Sequence, residues 1–293
     1  IRSQIVMPFV QTMLGYFEAL RNPVREPALM IHDDVTIVMQ GPLKNVAQRI
    51  AAGLRHIDDY KKHAGNVIIS TWDYHETKPS KRMLRRLGVG YTEEDITKYH
   101  DYYNDANIVY QTVTSLHGLA RVETKYAIKV RCDEYYTDMS KFIEVMKSAP
   151  TKLTTNNFLF VADKWQQLHP SDHVMGGLTE NIMGMFIETF KVCDEHKGRK
   201  DPLMGSDIGI KNYKNGNLNN DRISPETLLF LSFLRHKKVP INCEQSKEIM
   251  REHCQLVELK DMGEFLCHLG CNPYASYNYV LKHTPSITSM EQL

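Results

Sequence analysis

Short apolar runs alternate with helical stripes along the first half of the chain. Residues 35–39 form a run rich in β-branched side chains that ends in Gln40, Gly41 and Pro42, the pattern of a buried strand followed by a turn. The elements predicted for this half, in chain order, are a strand at 35–39, a helix at about 45–63, strands at 66–73 and 108–110, a helix at about 112–123 and a strand at 125–133. This alternation predicts an α/β fold with a mostly parallel sheet and helices on both faces.

The pattern is less regular in residues 74–104 and in the second half of the chain. We interpret residues 74–104 as a polar and aromatic insertion with helical stretches and a turn at 88–90. The elements predicted for the second half are a strand at 158–161, a loop around a short strand at 169–177, a helix at 179–195 and an asparagine-rich loop at 212–221. The chain shows no internal repeat and no clear linker, so we expect one domain with elaborations.

The sequence Ser224, Pro225, Glu226 predicts the start of a strong helix that continues to Arg235. Serine is a preferred N-cap residue, and proline suits the first helical position. An acidic residue in the first turn interacts favourably with the helix dipole.

Polar residues cluster at the carboxyl ends of the predicted strands. They are Gln40 and Gly41, residues 70–73, Gln111, and residues 131–134. In open parallel sheets a ligand lies across these ends. This convergence is the main physical argument for a nucleotide site.

Lys129, Arg131 and Asp133 lie two residues apart, so in a strand they point to one face of the sheet. Two cations and a carboxylate at the end of a strand suit a metal-bound diphosphate, with the carboxylate holding Mg²⁺ or Mn²⁺. The alternative is a surface strand with a local ladder of ion pairs.

Composition limits the classes of partner. The 293 residues carry 36 basic and 35 acidic side chains, so no overall field recruits nucleic acid. The basic run at 81–86 has no interleaved aromatic residues and is interpreted as the solvated face of a helix. Hydrophobic residues make up 42% of the chain, which is enough for a substantial core.

We expect a cytoplasmic protein. No apolar run reaches the roughly 18 residues of a membrane span, and the N-terminus lacks a signal pattern. Residues 5–20 predict an amphipathic helix packed on the main domain, with peripheral membrane or partner contact as the alternative. Six irregularly spaced cysteines favour a reducing compartment. A zinc cluster drawn from 253–254 and 267–271 is the alternative to buried free thiols.

Several nucleotide-binding and hydrolase motifs are absent from the sequence. The first strand is not followed by GxGxxG, and the chain has no Walker A sequence, no GxSxG and no HExxH. Dehydrogenase, P-loop, α/β-hydrolase and zincin functions are therefore disfavoured.

Four short sequence blocks occur in order along the chain. They are Val-Met-Gln-Gly-Pro at 38–42, Ile-Ser-Thr-Trp at 69–72, Lys-Val-Arg-Cys-Asp at 129–133 and His-Pro-Ser-Asp-His-Val-Met-Gly-Gly at 169–177. Together they resemble the WavE lipopolysaccharide-synthesis family of glycosyltransferases. The resemblance spans about 35–235. It implies a GT-A-like, Rossmann-type sheet that binds a nucleotide-sugar, with a nucleotide-binding half at 31–150, an acceptor-side half at 151–293 and a helical extension at 1–30. Where the family's class carries a DxD-type metal motif, this chain reads Arg-Cys-Asp-Glu, so the first Asp is missing.

The resemblance implies a role for each candidate residue. Asp133 is expected to hold the divalent metal, with Glu134 as a second contact; the alternative is that metal dependence is weak. The residues expected to bind the nucleotide diphosphate are Gln40, Gly41, Asp73, Arg121, Lys129 and Arg131. For the catalytic base, which deprotonates the acceptor hydroxyl, the candidates are Glu226 and Asp172. His169 and His173 are candidates to donate hydrogen bonds to phosphate or to bind the metal, and the alternative for each is a structural role.

These expectations describe a metal-assisted glycosyltransferase, inverting at the sugar, with a nucleotide-sugar donor and a glycan or glycoconjugate acceptor. Two alternatives stay open at this point. One is a nucleotidyltransferase that activates a sugar phosphate, and the other is a non-catalytic module that binds glycans or nucleotides.

Overall fold

A computed structural model of the chain describes residues 31–42, 57–72, 85, 88–158, 161–163, 166–215, 220–263 and 265–266. The predicted extension at 1–30 and most of the helix at 45–63 lie outside these residues. So do Asp73, the basic run apart from Arg85, and both Cys267 and Cys271. Residues 57–61 are helical, as the apolar stripe predicts.

The strands of the described residues, in chain order, are β1 (His32–Gln40), β2 (Ala64–Trp72), β3 (Gly90–Glu94), β4 (Tyr126–Arg131), β5 (Tyr135–Tyr136), β6 (Leu153–Asn156), β7 (Val161–Asp163), β8 (Gln166–His169), β9 (Val174–Leu178), β10 (Cys254–Val257) and β11 (Phe265–Leu266). The longer helices are α1 (Ile108–Leu119), α2 (Ser140–Ser148), α3 (Thr179–Glu195), α4 (Pro225–His236) and α5 (Ser246–His253). None of the described helices has the length and apolar character that crossing a bilayer requires.

The main sheet has seven strands among the described residues, in the order β10-β6-β9-β4-β1-β2-β3. Strand β9 runs antiparallel to both β4 and β6, and every other neighbouring pair is parallel. Gln40 at the end of β1 lies opposite Ser70 on β2 and Arg131 on β4. The predicted mostly parallel sheet flanked by helices is confirmed.

Two hydrophobic layers cover the faces of this sheet. Along β1, Val38 packs with α1, α3 and α4, whereas Ile37 and Met39 pack on the opposite face with α2. This alternation is that of a strand buried on both sides. Because Ala127 shares the face of Val38, Lys129 and Arg131 of β4 also point toward the α1 face.

The short strand predicted at 108–110 is wrong, because these residues form the first turn of α1. A three-residue apolar run has the same pattern in a buried strand and a buried helix, so periodicity alone cannot separate them. The third parallel strand is β3, inside the predicted insertion, and its sequence Gly-Tyr-Thr-Glu-Glu has little apolar character. It forms the edge of the sheet, where it pairs with β2.

The strand predicted at 158–161 is not a strand of the main sheet. The sheet instead uses β6, whose sequence Leu-Thr-Thr-Asn is mostly polar although all four residues are buried. Residues 161–163 begin a hairpin with β8. Thr154 and Thr155 satisfy their hydroxyl groups by bonding to Gln255 and to the main chain of Ser171, which explains why polar residues are tolerated there.

The helices with clear start signals are confirmed. Helix α3 begins and ends where the sequence predicts, and α4 begins at Pro225 with Ser224 as its N-cap. The Ser224 hydroxyl accepts a hydrogen bond of 3.2 Å from the Thr227 main-chain N–H. This cap fixes the position of Glu226 in the first turn.

Helix α1 lies directly against β1 and β2 because Gly118 permits a close approach. A Cβ at this position would overlap Val38 Cγ1 and lie 3.0 Å from Ser70 Cβ. The first turns of α1 are thereby held over the carboxyl ends of the strands, which places Gln111 and Thr114 at that edge.

Candidate functional site

The carboxyl ends of β1, β4 and β6 lie at one edge of the sheet, together with the amino end of β9. Because β9 is antiparallel, the loop that precedes it reaches this same edge. The resulting group, here called the strand-end cluster, consists of Lys129, Arg131, Asp133, Glu134, Asp172 and His173.

Lys129 is the most deeply buried cation of the strand-end cluster. Its side chain is fully enclosed, and its Nζ donates a hydrogen bond to the main-chain oxygen of Asp172. Burial lowers the pKa of Lys129, and the charge of Asp172 acts in the opposite direction. Lys129 therefore ties β4 to the loop before β9.

Arg131 and Asp133 form a two-pronged ion pair. Arg131 Nε donates to Asp133 Oδ1 at 2.9 Å, and Nη2 donates to Oδ2 at 3.0 Å. Arg131 Nε also lies 3.3 Å from Glu134 Oε1. Burial alone would lower the pKa of Arg131, but the Asp133 hydrogen bonds and the charge of Glu134 raise it. Asp133 follows the strand and folds back on Arg131, so the ion pair proposed as the alternative is present.

Glu134 and His173 form the buried part of the cluster. His173 Nδ1 bonds to Glu134 Oε1, and the Tyr136 hydroxyl donates to Glu134 Oε2 at 3.3 Å. The His173 ring meets Phe158 edge-on, at 4.5 Å between ring centres. Burial opposes protonation of His173, but the neighbouring Glu134 carboxylate raises its pKa above the ordinary value.

Asp172 is a buried carboxylate with its own donors. Gln111 Nε2 donates to Asp172 Oδ2 at 2.6 Å. Burial raises the pKa of Asp172, but the charges of Lys129 and His173 outweigh this and bring it well below its usual range. Asp172 therefore carries a negative charge that the cluster already compensates.

Gln40 and Gly41 lie at the same edge, beside the cluster. Gln40 is buried, and its Oε1 accepts a hydrogen bond of 3.1 Å from Thr114 Oγ1. Its main-chain oxygen accepts from Cys132 N–H at 2.7 Å, and Gly41 N–H donates to Ser70 O at 3.1 Å. Gly41 has φ +115°, a conformation that favours glycine at this turn.

The structure separates Arg121 from the other candidates. Arg121 is exposed and lies between the last turn of α1 and the amino end of β4. Since α1 returns the chain to the amino ends of the parallel strands, this residue is at the opposite edge of the sheet. Arg121 is therefore not one of the candidates that the fold brings together at the carboxyl edge. Asp73 lies outside the described residues.

A second histidine–glutamate pair adjoins the cluster. His169, at the end of β8, places Nε2 3.3 Å from Oε2 of Glu226 in the first turn of α4. The Glu226 side chain is 21% exposed, against 8% for His169. His169 Nδ1 is buried without a hydrogen-bond partner among the residues that the structure describes.

Each member of this pair shifts the pKa of the other. Burial lowers the pKa of His169, but Glu226 raises it above the ordinary value. Burial raises the pKa of Glu226, but the charge of His169 brings it below the ordinary value. The charge of Asp172 raises both pKa values, so the pair is electrically connected to the strand-end cluster.

The described residues do not fit a divalent metal ion as they are arranged. No group of three or more His, Cys, Asp or Glu side chains suited to hold a metal occurs in the part of the chain that the structure covers. Both carboxylate oxygens of Asp133, the expected metal ligand, accept hydrogen bonds from Arg131.

The pairing of Glu134 with His173 and the position of His169 beside Glu226 are not evident from the sequence. Both pairs join segments that are distant along the chain. The only sequence signal was that the four residues fall within or beside the blocks and helix start already noted.

The sequence of the chain matches one family model. The model, described as WavE lipopolysaccharide synthesis, matches residues 35–258. No curated protein matches the chain in sequence.

Several solved structures resemble the fold at a distance. One is the mannosyltransferase PcManGT from Pyrobaculum calidifontis in complex with GDP-Man and Mn²⁺, with 15% identity, a TM-score of 0.34, and coverage of 60% of this chain and 54% of that one. Another is the glycosyltransferase GlyE from Streptococcus pneumoniae TIGR4, with 10% identity, a TM-score of 0.41, and coverage of 78% and 46%.

A third is glucosyl-3-phosphoglycerate synthase from Mycobacterium tuberculosis in complex with Mn²⁺, UDP and glucosyl-3-phosphoglycerate, with 10% identity, a TM-score of 0.36, and coverage of 71% and 81%. The chain spans about half the length of the first two structures. At these TM-scores the similarity does not establish a function for this chain.

Proposed function

This chain belongs to the WavE lipopolysaccharide-synthesis family, and we propose that it is a glycosyltransferase that moves a sugar from a nucleotide-sugar to a glycan or glycoconjugate. One observation carries the proposal: the two cations Lys129 and Arg131 and a separate, more exposed carboxylate, that of Glu226, meet at the carboxyl edge of a mostly parallel sheet. Ligands of such sheets bind at this edge.

The donor side is the edge formed by β1 and β4. Arg131 is charged at all working pH values and suits a phosphate group, and Lys129 adds positive charge two residues earlier on the same face. Gln40 and Gly41 end the neighbouring strand, where we place the nucleotide. Asp73 stays a proposed contact to base or ribose.

The acceptor side is the first turn of α4. Glu226 is the more accessible of the two candidate bases, since its side chain is 21% exposed and that of Asp172 is 6% exposed. Asp172 also accepts the Gln111 hydrogen bond and neighbours Lys129. We therefore assign Glu226 as the catalytic base and Asp172 as a residue that positions the loop before β9.

The proposed reaction is a single displacement with inversion. The acceptor hydroxyl oxygen forms a bond to the anomeric carbon while the bond from that carbon to the diphosphate oxygen breaks. The hydroxyl proton passes to Glu226, and the nucleoside diphosphate leaves with the electron pair of the broken bond. General-base catalysis of this kind contributes typically about 10²–10⁴-fold to the rate.

A divalent metal was expected at Asp133, and two of the solved structures above were determined with Mn²⁺. In this chain the Asp133 carboxylate is paired with Arg131 instead. No step of the proposed reaction is therefore assigned to a metal.

We also propose a cytoplasmic location. Cys193, Cys243 and Cys254 are buried free thiols. Free thiols are typical of a reducing compartment. The proposed partners are the nucleotide-sugar and the glycan acceptor; nucleic acid is not among them, because the net charge is only +1.

The test is a thermal-shift screen against UDP-, GDP-, CMP- and dTDP-sugars, followed by detection of slow hydrolysis of the stabilising donor without acceptor. We expect one nucleotide class to stabilise the protein and to be hydrolysed. Stabilisation by nucleoside triphosphates with release of pyrophosphate would identify a nucleotidyltransferase instead. A protein that binds a nucleotide-sugar or a glycan and never cleaves it would be a binding module.

A further inference from the structure

We propose that the guanidinium of Arg131, and not a divalent cation, binds the diphosphate of the donor, so that donor binding persists without metal. This inference rests on the proposed function, because it requires a nucleotide-sugar donor at the carboxyl edge of the sheet. It assigns to Arg131 the charge compensation that the sequence led us to expect from Mg²⁺ or Mn²⁺ at Asp133.

The Asp133 carboxylate is already held by a cation of the chain. Arg131 bonds to both of its oxygens, at 2.9 and 3.0 Å, in the paired geometry that a guanidinium forms with a carboxylate. A metal ion would need the same oxygens, because Mg²⁺ and similar hard cations bind to carboxylate oxygen. Metal binding at Asp133 therefore requires that this ion pair break.

The other carboxylates of the strand-end cluster also accept hydrogen bonds from neighbouring side chains. Glu134 accepts from His173 on one oxygen and from Tyr136 on the other. Asp172 accepts from Gln111 on Oδ2, and its Oδ1 lies 4.0 Å from His173 Nε2. A cation that recruited any of these groups would leave a buried donor without its partner, at a cost of roughly 1–3 kcal/mol for each group.

Arg131 retains capacity to bind an anion. Its Nε and Nη2 atoms are engaged with Asp133, whereas Nη1 has no hydrogen-bond partner among the described residues. Its side chain is 28% exposed, so a ligand can reach the guanidinium from solvent. A guanidinium presents several N–H groups in one plane and is well suited to phosphate.

The charge of Arg131 agrees with its proposed role in binding the diphosphate. Arg131 stands where a pair of acidic metal ligands, Asp-x-Asp, would begin. Replacing a negative carboxylate by a positive guanidinium changes the local charge by two units, which is the charge that a divalent ion would supply.

The experiment measures donor affinity by calorimetry with and without metal. The 293-residue chain is stripped of metal and titrated with UDP-glucose, GDP-mannose and dTDP-glucose, first in EDTA and then in Mn²⁺. We expect one probe to bind with the same Kd in both buffers. We expect Arg131→Gln to weaken that binding in EDTA by about tenfold to a hundredfold, the loss of one charge-assisted contact.

Two further variants make the result interpretable. Arg251→Gln removes an exposed arginine of α5 and should leave the Kd unchanged. Arg131→Lys keeps the charge and loses the planar fork, so it should bind the donor between wild type and Arg131→Gln. If the thermal midpoint shows that Arg131→Gln does not fold, Arg131→Lys takes its place in the titration.

The outcomes separate the two proposals. A donor that binds wild type only with Mn²⁺ overturns the assignment to Arg131 and leaves the glycosyltransferase proposal in place. Equal donor affinity in wild type and Arg131→Gln overturns it also. If no probe binds in either buffer, the assignment to Arg131 fails, and the four-class thermal-shift screen with its hydrolysis assay decides the glycosyltransferase proposal separately.

Discussion

Two histidine–glutamate pairs lie at the same edge of the sheet, and they differ in how completely the chain encloses them. In the pair of His173 with Glu134, the carboxylate has no exposure and receives further contacts from Tyr136 and Arg131. In the pair of His169 with Glu226, the carboxylate is 21% exposed, and the second ring nitrogen of the histidine has no partner among the described residues.

The difference indicates that the two pairs have different roles, one structural and one at the substrate. A fully satisfied buried pair holds segments in place, and here it joins the end of β4 to the start of β9. A partly open pair with an unsatisfied nitrogen retains a carboxylate that a substrate can reach. A raised histidine pKa is common to both pairs, so exposure and remaining hydrogen-bond capacity separate them.

The largest expected effect is on catalysis at the open pair. Glu226→Gln keeps the shape of the side chain and removes the proton acceptor, so we expect sugar transfer to slow by about 10²–10⁴-fold. The matched control is Glu180→Gln, because Glu180 is also an acidic first-turn residue, in helix α3, but is exposed. Product formation under saturating donor measures the rate; equal loss in both variants would contradict the assignment.

Loss of the enclosed pair of Glu134 and His173 should reduce the stability of the protein. Glu134→Gln leaves His173 and Arg131 without their carboxylate, so we expect the free energy of unfolding to fall by about 3–5 kcal/mol. Urea denaturation of both Glu134→Gln and Glu226→Gln makes the comparison direct. If Glu226→Gln lost as much stability as Glu134→Gln, the distinction between the two pairs would be wrong.

His169→Gln should change the pH dependence of the reaction. The charge of His169 lowers the pKa of Glu226, and without it burial raises that pKa. Glu226 must be unprotonated to act as a base, so the acid limb of the pH–rate profile should move to higher pH. His100→Gln, at an exposed histidine, is the control and should leave the limb in place.

The same pair sets a pH window for stability. His169 has a raised pKa, so its contribution is complete below its ordinary value of 6.5 and is lost as pH rises through the folded pKa. Glu226 has a lowered pKa, so its contribution is complete above its ordinary value of 4.5 and is lost as pH falls through the folded pKa. The His169→Gln variant should lose stability relative to wild type mainly between these two values.

The smallest expected effect is at the helix start that positions Glu226. Ser224→Ala removes the hydrogen bond to Thr227 and should lower the free energy of unfolding by about 1 kcal/mol. Transfer should slow only slightly, because Pro225 still fixes the first helical residue. A loss as large as that of Glu226→Gln would show that the cap itself takes part in the reaction.

Much of the fold is predictable where local signals are strong. Strands β1 and β2 contain apolar runs, β4 alternates between apolar and charged residues near its end, and α3 and α4 have periodicity or caps that define them. Strands β3 and β6 are not predictable in this way, because their residues are mostly polar and long-range pairing determines their conformation.

The candidate site is predictable in its location but not in its pairings. The convergence at the carboxyl edge follows from strand order, and Arg131 with Asp133 follows from their spacing. The antiparallel entry of β9, which brings Asp172 and His173 to Lys129 and Glu134, depends on contacts about 40 residues apart along the chain. Arg121 lies at the amino edge of the sheet, because α1 crosses back before β4.

The most direct test of the account measures donor affinity in two variants side by side. Arg131→Gln and Glu226→Gln are each titrated with the donor that the thermal-shift screen identifies. We predict that Glu226→Gln binds the donor with the wild-type Kd although it no longer transfers the sugar, whereas Arg131→Gln binds it weakly. Weak binding in Glu226→Gln, or wild-type binding in Arg131→Gln, would contradict the division of this edge into a donor side and an acceptor side.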